Sequence, residues 1–150
     1  MRINTSTHYA IRVMLYLAEQ KRIVPSAELA EHIAISQRYL MQISAKLRDG
    51  RLIGTTVGMS GGYALLKDPS LISAYDVVAL MEGVADIPGS AADIPDGSKL
   101  YNALSLLRDY VETYLRSIRL DRLTDKNMAE WQEEFADIVE THIAALRQNV

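Results

Sequence analysis

The 150-residue chain contains no cysteine. Disulfides, thiolate zinc sites and cysteine-ligated iron-sulfur clusters therefore cannot be built from its own side chains. It also lacks any uninterrupted apolar run of about 18 residues, the length that signals a membrane span. The opening stretch MRINTSTHYAIRVMLYLAEQ places polar residues and Arg12 where a secretory signal would need unbroken apolar sequence, so the expected location is the cytoplasm, with no membrane partner. Nothing pairs a nucleophile with a base: His32 and His142 fall on unrelated helices with no acid placed to complete a triad or a metal pair, so no enzyme is expected. Asp86, Asp93 and Asp96 lack the alternate spacing of a calcium loop, and no cofactor or metal is expected.

What is present is 49% hydrophobic and 23% charged, enough for one domain with a core and an appended element. The net charge of −3 conceals a division: residues 1–67 carry 9 Lys/Arg against 4 Asp/Glu, and residues 68–150 carry 7 against 15. The first part is thus net +5 and the second net −8. A polyanion would meet the first part and be repelled by the second.

Along the chain, Tyr9, Ala10, Val13, Met14, Leu17 and Ala18 recur at helical spacing and predict a helix from Thr5 to about Gln20. Ser26 after Pro25 suits the N-cap of a short second helix, AELAEHIA. Ala34, Ile35 and Ser36 break that helix, and Ser36 can cap a third from Gln37 to about Asp49 with Leu40, Ile43 and Leu47 inward. Two short helices joined by a tight turn after a longer one make a helix-turn-helix pattern.

Next comes LIGTTVGMSGGYALL, in which Thr55, Thr56, Val57, Tyr63 and Leu65 are strand formers on either side of crowded glycines. The glycines read as a hairpin tip of four to five residues. A phosphate-binding loop is the competing reading, but neither glycine spacing nor a following lysine and helix fits it. Ser73 with Asp76 resembles a capping box for a fourth helix, AYDVVALMEG, stopped by Gly83. Residues 84–98 repeat Ala-Asp-Ile-Pro and read as a linker.

From Lys99 to Arg122 the pattern is helical again. Leu100, Leu104, Leu107, Val111, Tyr114 and Ile118 alternate steps of four and three, a narrow seam facing one partner helix. That partner is either the chain's own core or a second subunit, and reading DNA as paired half-sites favours the dimer. Asp125 onward predicts a last amphipathic helix with Trp131, Phe135, Ile138, Val139, Ile143 and Leu146 on one face.

The third helix carries the chemistry. With its leucines inward, its outer face presents Arg38, Met41, Gln42 and Ala45, edged by Gln37, Tyr39 and Lys46. Arginine can fork onto guanine and glutamine onto adenine, an apolar side chain can rest on the thymine methyl, and Ser36 with the helix N-terminus can hold a phosphate. Alone, such a face could be ordinary solvated surface. A helix-turn-helix followed at once by a hairpin, however, forms a winged helix, with the helix in the major groove. Arg2, Arg12, Arg48, Arg51 and Lys67 lie outside the reading face as candidates for phosphate contact or plain solubility. From Val57 through Gly62 the wing has no charged side chain, so Ser60, Tyr63 and backbone amides are expected to touch phosphate at most.

TSTHYAIRVMLYLA, SAELAEHIAISQRYLMQISAKLRDGRLI and GMSGGYALLKDPSLISAYDVVALMEG together resemble the Rrf family of bacterial winged-helix transcription regulators. The likeness is close over residues 1–83, and the order of linker and long helix fits through about residue 123. The resemblance implies a homodimer, held by the long helix, that binds an inverted-repeat operator and represses or tunes transcription. It places the recognition residues on Ser36, Arg38, Tyr39 and Gln42. Many relatives hold an iron-sulfur cluster on three cysteines in the loop that reads DIPGSAADIPDGS here, some with a further ligand near the N-terminus. Without thiolates His8 cannot make that site. Many relatives also carry arginine after the first wing strand, where this chain has Val57.

The expected architecture is mainly α with a small two-stranded β wing: a winged helix-turn-helix domain over 1–83, a linker over 84–98, and a dimerisation helix with a C-terminal helix over 99–150. The expected partners are double-stranded DNA, a second copy of the chain, and a small effector or partner protein acting on the 84–98 loop or the long helix. The rival reading is a winged-helix protein-interaction module that does not bind DNA, which a salt-dependent shift of duplex DNA would discriminate.

Overall fold

The computed structural model describes residues 3–83 and 98–125, with scattered positions between 133 and 147. Six helices and one hairpin make up this part: α1 (Thr5–Gln20), α2 (Ser26–Ile33), α3 (Gln37–Asp49), β1 (Ile53–Thr56), β2 (Gly62–Leu65), α4 (Ala74–Glu82), α5 (Lys99–Ser117) and α6 (Leu120–Asp125). A single turn of 3-10 helix, Pro69–Leu71, joins β2 to α4.

The apolar stripes read from the sequence meet in one core. Val13, Met14 and Leu17 of α1 pack with Leu29 and Ile33 of α2, with Leu40, Ile43 and Leu47 of α3, and with Ile53 and Val77. Full burial of each large aliphatic side chain is worth roughly 1.5–3 kcal/mol, so α3 is held on the core by three such anchors. The turn before α3 is closed in the backbone. Ala34 adopts a left-handed conformation (φ 62°), its N–H donating to the Glu31 carbonyl and the Ile35 N–H reaching back to the Ala30 carbonyl, each at 3.1 Å. This is a Schellman closure, and it turns the chain sharply enough to set α3 across α2. Ser36 then caps α3 as expected, its hydroxyl accepting the Tyr39 N–H at 3.2 Å.

Ser26 does not cap α2. It is the first residue of that helix, and Pro25 occupies the cap position with no side-chain acceptor. At α4 the capping box is complete: Ser73 accepts the Asp76 N–H at 3.3 Å, and the Asp76 carboxylate accepts the Ser73 N–H at 2.8 Å. The helix stops at Gly83.

The long helix is shorter than its periodicity predicts. α5 ends at Ser117, and Ile118 is extended (φ −82°, ψ 105°). The Ile118 carbonyl accepts the Ala74 N–H at 2.8 Å, and the Leu120 N–H donates to Ile72 at 3.0 Å. These pairings break the helix and start α6, whose Leu120 enters the core at 1% exposure. Ile118 therefore lies past the helical seam. The 84–97 linker and the terminal-helix face of Trp131, Phe135, Ile138, Val139, Ile143 and Leu146 lie outside the described residues.

Candidate nucleic-acid interface

The inner anchors of α3 fix what its outer face presents. Ser36, Gln37, Arg38, Met41, Gln42 and Lys46 are all exposed, and Ala45 is half-buried between them. Neither Arg38 nor Lys46 forms an ion pair among the described residues. Their donors are free for an external acceptor. Arg48, by contrast, lies 3.8 Å from Asp49. Ser44, absent from the expected inward set, is also buried, and its hydroxyl has no partner among the described residues.

Tyr39 is only partly available. Its ring meets Tyr9 edge-on, with centroids 5.7 Å apart and planes at 87°, and the Arg12 guanidinium lies over the Tyr9 ring at 5.7 Å. Edge-to-face pairs and cation-π contacts of this kind steady the rings involved. Tyr9, a half-buried member of the α1 stripe, thus braces the first turn of α3, a role that helical periodicity alone did not indicate. Arg12 is carried to the same end of the interface. Arg51 and Lys67 are exposed, and Arg2 lies outside the described residues.

The wing pairs Ile53 with Leu65, Gly54 with Ala64, Thr55 with Tyr63 and Thr56 with Gly62, leaving residues 57–61 as the tip. Val57 belongs to that tip and not to the strand. Gly58 has φ 118°, a conformation L side chains rarely adopt. Gly62 is required for a different reason: a Cβ there would lie 2.0 Å from the Val24 carbonyl oxygen. That close approach exists because Val24 pairs with Tyr63, the Val24 N–H donating at 2.8 Å and the Tyr63 N–H returning at 2.9 Å. The wing is thereby stitched to the segment between α1 and α2. The same pairing occupies the Tyr63 amide, and Gly61 donates its own to Gly58 at 3.0 Å. Tyr63 retains only its half-buried side chain for a ligand, whereas Ser60 is exposed beside Val57 and Met59, which are 93% and 107% exposed.

Two carboxylates tie neighbouring elements together here. Glu82, at the end of α4, accepts from the Thr7 hydroxyl, from the Asn4 N–H at 2.7 Å and from the Asn4 amide at 2.5 Å. These bonds, the Thr7 hydroxyl foremost, hold its carboxyl below the ordinary range. Glu28 accepts from Arg22 and from the Tyr16 phenol at 2.9 Å, and is likewise lowered, Arg22 being the larger cause. It ties the 21–25 segment to α2, while His32 stacks on Tyr16 with ring centroids 3.8 Å apart.

Comparison with known proteins gives the family of the chain. Residues 3–126 match the family described as Rrf2, iron-dependent transcriptional regulator. The chain is 31% identical over 134 residues to the HTH-type transcriptional regulator IscR of Vibrio atlanticus (strain LGP32), covering 85% of this chain and 77% of that protein. To CymR of Bacillus subtilis (strain 168) it is 29% identical over 126 residues, covering 82% and 89%. Among solved structures, CymR (YrzC), the global cysteine regulator of B. subtilis, superposes with a TM-score of 0.69 at 26% identity, covering 83% of this chain and 96% of that one. T. potens IscR superposes with a TM-score of 0.68 at 29% identity, covering 86% and 90%. The mainly α architecture with a two-stranded wing is shared with these regulators.

The family's description names iron, and the donor set of this chain does not fit a thiolate-held iron centre. The sequence has no cysteine, and among the described residues no three His, Cys, Asp or Glu side chains gather to hold a metal ion. Nor is any described helix long and apolar enough to cross a membrane.

Proposed function

This chain belongs to the Rrf2 family of DNA-binding transcription regulators, and we propose that it acts in the cytoplasm as a homodimeric repressor on an inverted-repeat operator, with no iron-sulfur cluster. The observation that carries this reading is the outer face of α3: Arg38, Met41 and Gln42 exposed in register on a helix that Leu40, Ile43 and Leu47 lock to the core. In the major groove, Arg38 would fork onto guanine, Gln42 would pair with adenine, and Met41 would rest against a thymine methyl. Ser36, Gln37, Lys46, Tyr39 and, from the wing, Ser60 and the Tyr63 side chain would fix register on the phosphates.

A dimer is supported by the state of α5. No residue of this helix is buried in the single chain, and Leu100, Leu106 and Leu107 are 58%, 52% and 46% exposed. An amphipathic helix that leaves leucines open to water has its partner elsewhere. Leu104, Val111 and Tyr114, half-buried, complete the seam, which ends before Ile118. We read 1–83 as the DNA-binding unit, 84–98 as a linker and 99–150 as the dimerisation part, with activity set by a small effector or a partner protein.

Selection of bound fragments from the organism's own genome tests this. The enriched sites should be two-fold symmetric, with half-sites about one helical turn or a simple multiple apart. Unsymmetric single sites would contradict the paired reading.

A further inference from the structure

We propose that the cleft between the C-terminal end of α1 and the base of the wing binds a small organic anion, a carboxylate on a compact apolar body. The cleft measures about 510 Å³, within the range of roughly 300–1,000 Å³ usual for small-molecule sites. One wall is the last turn of α1 with the segment that follows it, and the other is β2 with the turn leading to α4. It is separate from the outer face of α3, since no residue of that helix lines it.

The lining divides into an apolar floor and a cationic rim. Leu17 and Ala18 form the bottom, Leu65 the side, and Ile23, a large aliphatic left 42% exposed, stands at the edge. An aliphatic residue kept open beside a concave apolar surface has an incomplete contact that a ligand's apolar body can fill.

Three cations line the cleft, and two of them are available. Arg22 is committed to Glu28 and to the Gln20 side chain. Lys21 and Lys67 form no ion pair among the described residues. Lys21 sits just past the end of α1 with a left-handed backbone (φ 50°), so part of its charge answers the negative end of that helix. Lys67 lies on the opposite wall and has no such duty. Asp68, also on the rim, would cancel part of this charge. One of its carboxylate oxygens already accepts from both the Ser70 N–H at 2.9 Å and the Ser70 hydroxyl at 2.5 Å. These bonds, led by the hydroxyl, and then the field of Lys21, hold Asp68 below its ordinary range. The carboxylate is thus built into the turn, and the two walls each carry a lysine without an ion pair among the described residues.

The test uses the full-length protein labelled with nitrogen-15 and titrated with 2-naphthoate, with 2-naphthalenemethanol and inorganic phosphate as probes lacking the charge or the apolar body. Naphthoate should move the amide signals of Lys21, Ile23, Leu65 and Lys67 saturably, and each control should bind at least about tenfold more weakly, a difference of about 1.4 kcal/mol. The variant carrying Lys21→Met and Lys67→Met should keep its spectrum elsewhere and lose naphthoate affinity by a similar factor. Shifts centred on other residues, equal binding by either control, or unchanged binding by the variant would overturn the site. Loss of DNA binding in the variant with naphthoate affinity intact would also overturn it, assigning the lysines to the DNA backbone. The titration contains no DNA, so its failure leaves the proposed role of α3 standing.

Discussion

Glu82 accepts from groups 75 and 78 residues away in sequence, and its substitution shows how single side chains hold the platform. Glu82→Ala should cost about 1 kcal/mol in urea denaturation at neutral pH, the usual net worth of a hydrogen bond lost at a partly exposed site. The pH dependence has a definite sign. Because the folded carboxyl is held below its ordinary value, its contribution is present above about pH 4.3, the ordinary glutamate value, and is lost as pH falls through the lowered folded value. The stability gap between wild type and variant should therefore close on acidification. Gly62→Ala should cost about 1–3 kcal/mol, since the new methyl meets the Val24 carbonyl head-on. An unchanged denaturation midpoint would mean that the wing is not stitched to Val24. Neither effect was legible in the sequence. The glycines marked a tight turn, but the need at Gly62 comes from the backbone of Val24, 38 residues earlier in the chain, which no local pattern encodes.

At the scale of elements, local signals were legible wherever a helix is specified by its own residues. The Ser36 cap, the Ser73 and Asp76 box, and the inward row Leu40, Ile43 and Leu47 all stand where spacing placed them. Ser36→Ala should accordingly destabilise the protein by about 1 kcal/mol. The signals failed where tertiary pairing overrode periodicity. The four-three alternation runs on through Ile118, yet hydrogen bonds across to Ile72 and Ala74 end α5 one residue earlier and send Leu120 into the core. Ser26 failed as a cap because the helix starts one residue earlier: the Leu29 N–H donates to the Pro25 carbonyl at 3.0 Å, which makes Ser26 the first helical residue. For the proposed seam, Leu107→Asp should yield monomers by light scattering at concentrations where the wild type is dimeric. An unchanged mass would place the interface on another surface. This position is exposed in the single chain, so the substitution should leave the folded monomer intact.

At the scale of the whole molecule, the division between a net +5 first part and a net −8 remainder bears on where DNA can approach. Duplex binding should weaken steeply with salt, by an amount set by the number of phosphates neutralised. The exposed row Arg38, Met41 and Gln42 was visible in the sequence because it sits on a helix with strong periodicity. It did not reveal the Tyr9 and Arg12 brace behind Tyr39, which depends on how α1 and α3 cross. The central claim, that α3 reads base sequence, is tested most directly by measuring the affinity of Arg38→Ala and Gln42→Ala for the preferred operator and for random duplex DNA at one salt concentration. Each variant should lose roughly 1–3 kcal/mol on the operator and far less on random DNA. Equal losses on both would contradict the account.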